Sequence, residues 1–458
     1  MDRAIKKRFE KIVGRENFCD SEEDCLSYSY DGTGREYKPQ AVIFPGSTAE
    51  VAAVMRLASE VLLPVVPRGA GSGMTGGSLP VRGGLVMPLT RLNKIVEIDE
   101  ENQLAVVEPG VITADLQSAV KKHNLFYPPD PASMKFCTVG GNAAECAGGP
   151  SAVKYGVTRD YVRGLEVVLA DGRILNTGVR TAKGVVGYDL TRLFVGSEGT
   201  LGIITKMALK LIARPESKST FMVLIDSMVR AANLVTEVLR SYLPCTMEYM
   251  DKTALEIVRD KIPFSLPDGT EALLLIELDG SRFVVQSDSD RLAEFLDGRE
   301  GVLEVRTAGA DTAEADMLWA ARRAVSPASF QLKPDKVNED VVVPRSLIPK
   351  LVVYVGQLSE ELNIPIFTFG HAGDGNIHVN IMLDKENSDE AARSEQAKKM
   401  LFEKVLSLGG TLSGEHGVGL TKAAYLPMEI DEVTLNVMKG LKQYFDPQNI
   451  LNPGKIFT

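Results

Sequence analysis

An α+β fold in two main parts is predicted, on three observations. Short β runs alternate with helices through the first half of the 458 residues; glycine, dense there, thins near residue 215; and β-rich runs and helical stretches then follow until glycine-rich loops return near 410. We therefore divide the chain at 1–215, 216–410 and 411–458, the last segment resuming the character of the first.

In the first part, Ser47-Thr48-Ala49-Glu50 reads as a capping box opening a helix whose Val51, Val54, Met55 and Ala58 recur at helical spacing. β runs follow at VLLPVVP, GGLVMPL, KIVEID and LAVVEPG, and a helix is expected after Thr113. YVRGLEVVLADGRIL reads as two strands joined at Asp171-Gly172. The second part carries STFMVLID, the helical AANLVTEVLRSYL and EALLLIELDG, as in an α+β domain built on an antiparallel sheet. A last helix ends before Asp446-Pro447.

Composition narrows the function classes. With 44% apolar and 24% charged residues the chain reads as a globular enzyme, and its net charge of −10 argues against a nucleic-acid partner. Lys6, Lys7 and Arg8 have no apolar run behind them, so neither a secretory signal nor a membrane span is expected. Five cysteines without a C-x-x-C pair argue against an iron–sulfur cluster and for free thiols in a reducing cytoplasm. Electrons leaving this chain would need an external acceptor.

The string PRGAGSGMTGGSLP (67–80) contains a literal G-x-G-x-x-G at Gly71, Gly73 and Gly76. A dinucleotide fingerprint needs a helix opening out of the loop, and GGSLPVRGGL cannot start one. The physical content survives: seven glycines between 69 and 84 let successive N–H groups aim at one anion, and Arg68 is expected to add positive charge at the mouth. Such a loop suits a pyrophosphate. Two more small-residue runs, 128–149 and 195–205, make a large cofactor laid along all three the simplest reading.

PRGAGSG, PPDPAS with TVGGN, and GSEGTLGIIT resemble the FAD-binding domain of the vanillyl-alcohol-oxidase-type flavoproteins. Within them the chain is similar to the branch that holds the FAD-carrying subunit of glycolate oxidase, D-lactate dehydrogenase and D-2-hydroxyglutarate dehydrogenase. The likeness runs from about residue 35 to the C-terminus and includes DPQNILNPGK (446–455). It implies a two-part FAD domain with an α+β substrate (cap) domain. It also implies that Arg68, Gly69, Gly71, Ser72 and Gly73 hold the pyrophosphate. Pro129, Ser133, Gly140, Gly141, Asn142, Gly199 and Ile203 would line the isoalloxazine and adenine portions, with Asn452 closing the site. Some relatives tether FAD to a histidine in the first loop; this chain has Met74 there, so non-covalent FAD is expected.

Of four histidines, His123 ends a predicted helix and reads as a solvated or capping residue. The other three lie in GHAGDGNIHVN (370–380) and SGEHGVG (413–419). PIFTFGHA and NIHVNIML read as a hairpin, with Ile377, Val379 and Ile381 facing a core and His378 and Asn380 sharing the other face. His371, across the turn, can converge on the same point, and Glu415 can enter as a third ligand. Two imidazoles and a carboxylate suit Zn²⁺ foremost, with Fe²⁺ or Mn²⁺ as alternatives. Asp374 reads as a turn-shaping residue or as a partner of a ligand histidine. In LWAARRA (318–324), Trp319 and Arg322 share a helix face while Arg323 points elsewhere.

The resemblance implies His371, His378 and Glu415 as metal ligands, His416 as base, Asn380 as a substrate or base contact, and Arg322 as clamp for a substrate carboxylate. Ser326 is a weaker candidate, and Lys333 and Lys336 are both open for a further contact. The implied reaction is oxidation of a small D-2-hydroxy acid, D-lactate ahead of glycolate and D-2-hydroxyglutarate, by hydride transfer to flavin with the 2-hydroxyl on the metal. The implied acceptor is an electron-transfer flavoprotein, an iron–sulfur subunit or a quinone. A homodimer and membrane association through a partner are compatible. Competing readings are a metal-dependent hydrolase, a non-catalytic flavoprotein subunit of an oxidase complex, and a flavin-using transferase.

Overall fold

A computed structural model describes residues 1–262, 264–309 and 312–457. The chain forms two compact units: Met1–Gly148 with Val157–Arg214 and Glu415–Thr458, and Gly149–Gly156 with Pro215–Gly414.

The first unit is built on β1 (Phe18–Cys19), β2 (Ala41–Ile43), β3 (Val65–Arg68), β4 (Leu85–Pro88), β5 (Ile95–Asp99), β6 (Leu104–Val107), β7 (Leu125–Phe126), β8 (Val162–Val168), β9 (Ile174–Gly178), β10 (Ile203–Lys210) and β11 (Ile212–Ala213). Two sheets, ordered β1-β2-β4-β3 and β5-β6-β10-β8-β9, carry most of it, and β7 pairs with β11. The helix Thr48–Glu60 buries Val51, Val54, Met55 and Ala58 against Ile43, Val65 and Leu85. Its cap departs from a full capping box: Ser47 Oγ accepts from Glu50 N at 3.2 Å, but the Glu50 carboxylate accepts from Gly46 N instead of Ser47 N. The β8–β9 hairpin turns at Asp171-Gly172 as expected.

No helix follows β3. The chain passes through the glycine loop into β4, parallel to β3, and Ile450 and Asn452 bond Val65, so the C-terminal segment returns to this unit beside the loop. The run 128–149 holds a short helix, Val139–Glu145, opened by Thr138 Oγ1 accepting from Gly141 N. Two glycines inside a helix are locally unfavourable. Here Gly140 is required by packing, since a Cβ would sit 2.4 Å from Pro109.

The second unit is one seven-stranded antiparallel sheet. Its strands are β12 (Ser217–Ile225), β13 (Thr246–Asp251), β14 (Ala272–Gly280), β15 (Val302–Gly309), β16 (Asp335–Val342), β17 (Ile366–His371) and β18 (Asn376–Leu383), in the order β15-β12-β14-β13-β17-β18-β16. The helix Ala313–Ala328 packs Leu318, Ala321 and Val325 with Met250, Leu275, Phe367, Phe369 and Met382 of one sheet face. Residues of a strand alternate between faces, so Ile377, Val379 and Ile381, all buried, point to the opposite side. None of the described helices is long and apolar enough to cross a membrane.

Candidate functional site

In the second unit the register explains the convergence of polar groups. His371 pairs with Asn376 across the β17–β18 turn, Phe369 with His378 and Phe367 with Asn380. Next to them Asp340 pairs with His378, Asn338 with Asn380, Lys336 with Met382 and Glu248 with His371. Directly opposed residues share a face. One face thus carries Glu248, His371, Asn376, His378, Asn380, Asp340, Asn338 and Lys336. The turn is set by Asp374, whose Oδ1 accepts from Asn376 N at 3.0 Å, and by Gly375 at φ +92°, where a Cβ would strike the Val343 carbonyl.

His371 and His378 are both buried, with ring centroids 5.1 Å apart and planes at 83°. The Glu248 carboxylate accepts from His371 Nδ1, which turns Nε2 away from that bond as the ligating nitrogen. Its other oxygen, Oε2, accepts from Arg322 Nε and Nη2, each at 2.7 Å. Burial pushes the Glu248 carboxyl upward, but the charges of His371 and Arg322 outweigh it and hold it below the usual range. Arg322 also lies over the Phe369 ring at 4.5 Å. It is therefore not a free clamp: its Nε edge is spent on Glu248, and Nη1 stands outside that pair. Trp319, on the same helix face as expected, donates to Glu277 at 2.7 Å.

Asn380 is fully buried; its Nδ2 reaches the His378 carbonyl at 3.3 Å and its Oδ1 has no hydrogen-bond partner. Asn338 Oδ1 and Asn376 Oδ1 are buried in the same condition. Three such oxygens on one face beside two imidazoles are the mark of a site built for a polar ligand. Two imidazoles, one oriented by a carboxylate, suit a divalent metal, so this donor set fits one. Between the two lysines left open, Lys333 pairs with Glu390 at 2.8 Å, whereas Lys336 Nζ donates to Ser326 Oγ at 2.8 Å, and burial pulls it down to about 8.

Glu248 and Asp340 were missed in the sequence. Asp340 is fully buried, accepts from Asn376 Nδ2 at 2.7 Å and from Gly414 N at 3.0 Å, and lies 3.9 Å from His378 Nδ1. The available signal was a pair of acids in each of two otherwise strand-like runs, TMEYMD and NEDVVVP. Gly414 directly precedes Glu415 in the chain.

Glu415 and His416 belong to the first unit, where Glu415 Oε1 and His416 Nε2 are 4.0 Å apart. A Cβ on Gly148 would come within 2.9 Å of Glu415 Oε2, so glycine there leaves room for this carboxylate. The loop is held from below. Glu198 accepts from Val418 N at 2.8 Å and Gly419 N at 2.7 Å, and Thr75 Oγ1 donates to the His416 carbonyl. Burial raises the Glu198 carboxyl despite these donors, and burial beside Glu198 and Asp31 lifts Glu145 well above the carboxylate range.

All thirteen residues expected to hold FAD fall in the first unit. Gly71 has φ +74°, and a Cβ there would collide with the Arg68 guanidinium; Gly69 admits Thr138 Oγ1, and Gly199, at φ +68°, admits Pro67. No atom comes within 4 Å of a Cβ placed on Gly73. This glycine-lined cradle fits a phosphate-bearing cofactor. Three of the thirteen are engaged within the protein itself. Arg68 does not project at the mouth: it is buried against Gly71 and over the Tyr28 ring. Ile203 buries its side chain in the apolar core, leaving only backbone for a ligand. Asn452 spends its amide donors on the carbonyls of Gly77 and Glu198, at 2.8 and 2.7 Å, tying the glycine loop to the 195–205 run. Asn142 donates to Thr113 Oγ1, Ser72 and Ser133 are partly exposed, Pro129 is buried, and Gly141 sits over Thr138. His123 pairs with Glu100 at the surface, as expected of a solvated residue.

Comparison with known proteins agrees with this anatomy. Residues 39–178 match the FAD binding domain, and 214–456 the C-terminal domain of FAD linked oxidases. The chain is 47% identical over 456 residues to glycolate oxidase subunit GlcD of Bacillus subtilis, covering 99% of this chain and 97% of that protein. It is 38% identical to a D-lactate dehydrogenase of Anaerostipes hadrus, covering 92% and 90%. Among solved structures, substrate-bound p-cresol methylhydroxylase superposes with a TM-score of 0.82 at 18% identity, covering 99% of this chain and 96% of that one. A 4-ethylphenol oxidase from Gulosibacter chungangensis gives 0.79 at 21%, covering 99% and 96%. Their likeness shows the vanillyl-alcohol-oxidase-type fold. The chain belongs to the FAD-linked oxidases, as an FAD-dependent oxidoreductase with this FAD-binding domain and this C-terminal domain.

Proposed function

We propose that the protein oxidises a small D-2-hydroxy acid to the 2-oxo acid, D-lactate foremost, then glycolate or D-2-hydroxyglutarate, and passes the electrons to an external acceptor. The observation that carries this reading is the single sheet face on which Arg322, His371, His378 and Asn380 meet. The names of the relatives, glycolate oxidase subunit and D-lactate dehydrogenase, support the substrate class.

Arg322, through its Nη1 end, pairs with the substrate carboxylate, and Asn380 Oδ1 accepts from the substrate or the base. His371, His378 and Glu415 are the proposed ligands of a divalent metal, with zinc first in order. His416 takes the proton of the 2-hydroxyl, a task for which imidazole is suited near neutral pH. FAD, when bound, supplies the two-electron acceptor, and the metal supplies Lewis acidity at the hydroxyl oxygen. The proposed FAD contacts are Arg68, Gly69, Gly71, Ser72, Gly73, Pro129, Ser133, Gly140, Gly141, Asn142, Gly199, Ile203 and Asn452, without a covalent tether, since Met74 occupies the first loop. We place the protein in the cytoplasm, reaching a membrane only through an electron-accepting partner.

The proton-transfer role is tested by His416→Ala. Stopped-flow flavin reduction by D-lactate should slow by about 10²–10⁴-fold, the usual worth of a general base. Near-normal reduction would remove His416 from that role.

A further inference from the structure

We infer that Glu248 is a positioning residue that sets two functional groups at once, the ligating tautomer of His371 and the direction of Arg322. The inference rests on the metal reading above. Glu248 projects from the middle of β13, wholly buried, with one oxygen facing His371 Nδ1 and the other facing Arg322 Nε and Nη2. Both partners donate, and an ionised carboxylate offers acceptors only, so it serves them together. With Nδ1 carrying its proton toward Glu248, His371 presents the lone pair of Nε2, as a metal ligand must. With its Nε edge held, Arg322 keeps Nη1 directed away from β13. The two groups come from different elements, β17 and the helix Ala313–Ala328, and Glu248 lies between them.

The chemistry of glutamine exposes this double duty. In Glu248→Gln the amide has one acceptor and one donor side. The guanidinium, which can only donate, would draw the oxygen. The NH₂ would then face His371 Nδ1, forcing the proton to Nε2, the nitrogen that would bind metal. A neutral group of the same shape should therefore damage the metal site while leaving the packing intact. Glu248→Asp keeps the charge but is one methylene short of spanning both partners.

The test is calorimetric titration of Zn²⁺ alone into chelator-stripped, FAD-loaded wild type, Glu248→Gln and Glu248→Asp, with His378→Ala as the site-null control. Wild type should bind one equivalent and His378→Ala none. Glu248→Gln should bind about 10–100-fold more weakly, the usual cost of losing such a partner, with flavin absorbance and circular dichroism unchanged. Steady-state kinetics at saturating metal should then show a raised KM for the hydroxy acid in Glu248→Asp, which is too short to hold both partners, and a KM near wild type in Glu248→Gln, whose amide oxygen still holds Arg322. Zinc affinity of Glu248→Gln within twofold of wild type would overturn the inference. A wild type that binds no zinc would overturn the metal reading on which it rests. If Glu248→Gln fails to fold, Glu248→Asp decides the matter by the same affinity criterion.

Discussion

The two units make their sites from different materials. In the first, the cradle is backbone: glycines at 69, 71 and 199 bring main chain close to Thr138, Arg68 and Pro67, while Gly73 is open. In the second, the site is side chain: eight polar groups stand on one face of a sheet, with Ile377, Val379 and Ile381 buried on the other. The first kind of site is sensitive to an added methyl group. The second fails when one partner of a hydrogen-bonded set is removed, because burial leaves the rest unpaired.

Substitutions should separate the two kinds of site. The largest effect should come from His378→Ala, which removes a ligand from the side-chain site. Metal content should fall to background and flavin reduction by substrate should slow on the order of 10³-fold, corresponding to several kcal/mol of lost charge stabilisation. Flavin content should be unchanged, as read by absorbance. Gly71→Ala should do the reverse. A non-glycine residue at φ +74°, pressed on Arg68, costs about 1–3 kcal/mol. FAD retention should therefore weaken about 10–100-fold in equilibrium dialysis while zinc binding persists.

Asn452→Ala is expected to be milder. It strands the buried carbonyls of Gly77 and Glu198, a loss of about 1–3 kcal/mol, visible as a lower Tm that added FAD partly restores. The smallest effect concerns Lys336, held by burial at about 8 instead of its ordinary 10.5. A lysine depressed in the folded state contributes stability that is present above its unfolded pKa and lost as pH falls through its folded pKa. Lys336→Met should therefore be more stable than wild type near pH 7–8, and the Tm gap should narrow as pH rises toward 10. A gap independent of pH would show that the ammonium is not desolvated.

The same division explains what could be read in advance. The failed dinucleotide fingerprint was legible because the residues after Gly76 forbid a helix, and β3 does run through the loop into β4. The shared face of His378 and Asn380 followed from strand alternation alone. Glu248 did not, because it lies 123 residues from His371, and only the β13–β17 pairing brings them together. Nor did the buried posture of Arg68, since a sequence shows a charge but not the Gly71 and Tyr28 surfaces that receive it. Long-range pairing and packing were the missing information in both cases. The short helix Val139–Glu145 was hidden for another reason: two glycines argue against a helix that Thr138 caps and Pro109 crowds.

The most direct test of the central claim is anaerobic mixing of the FAD-loaded, metal-analysed protein with D-lactate, L-lactate, glycolate and D-2-hydroxyglutarate in parallel. D-lactate should bleach the flavin rapidly, glycolate and D-2-hydroxyglutarate more slowly and L-lactate not at all, and chelation should abolish the response. Flavin that stays oxidised with all four acids in metal-loaded protein, or bleaches equally well once the metal has been removed, would contradict the claim.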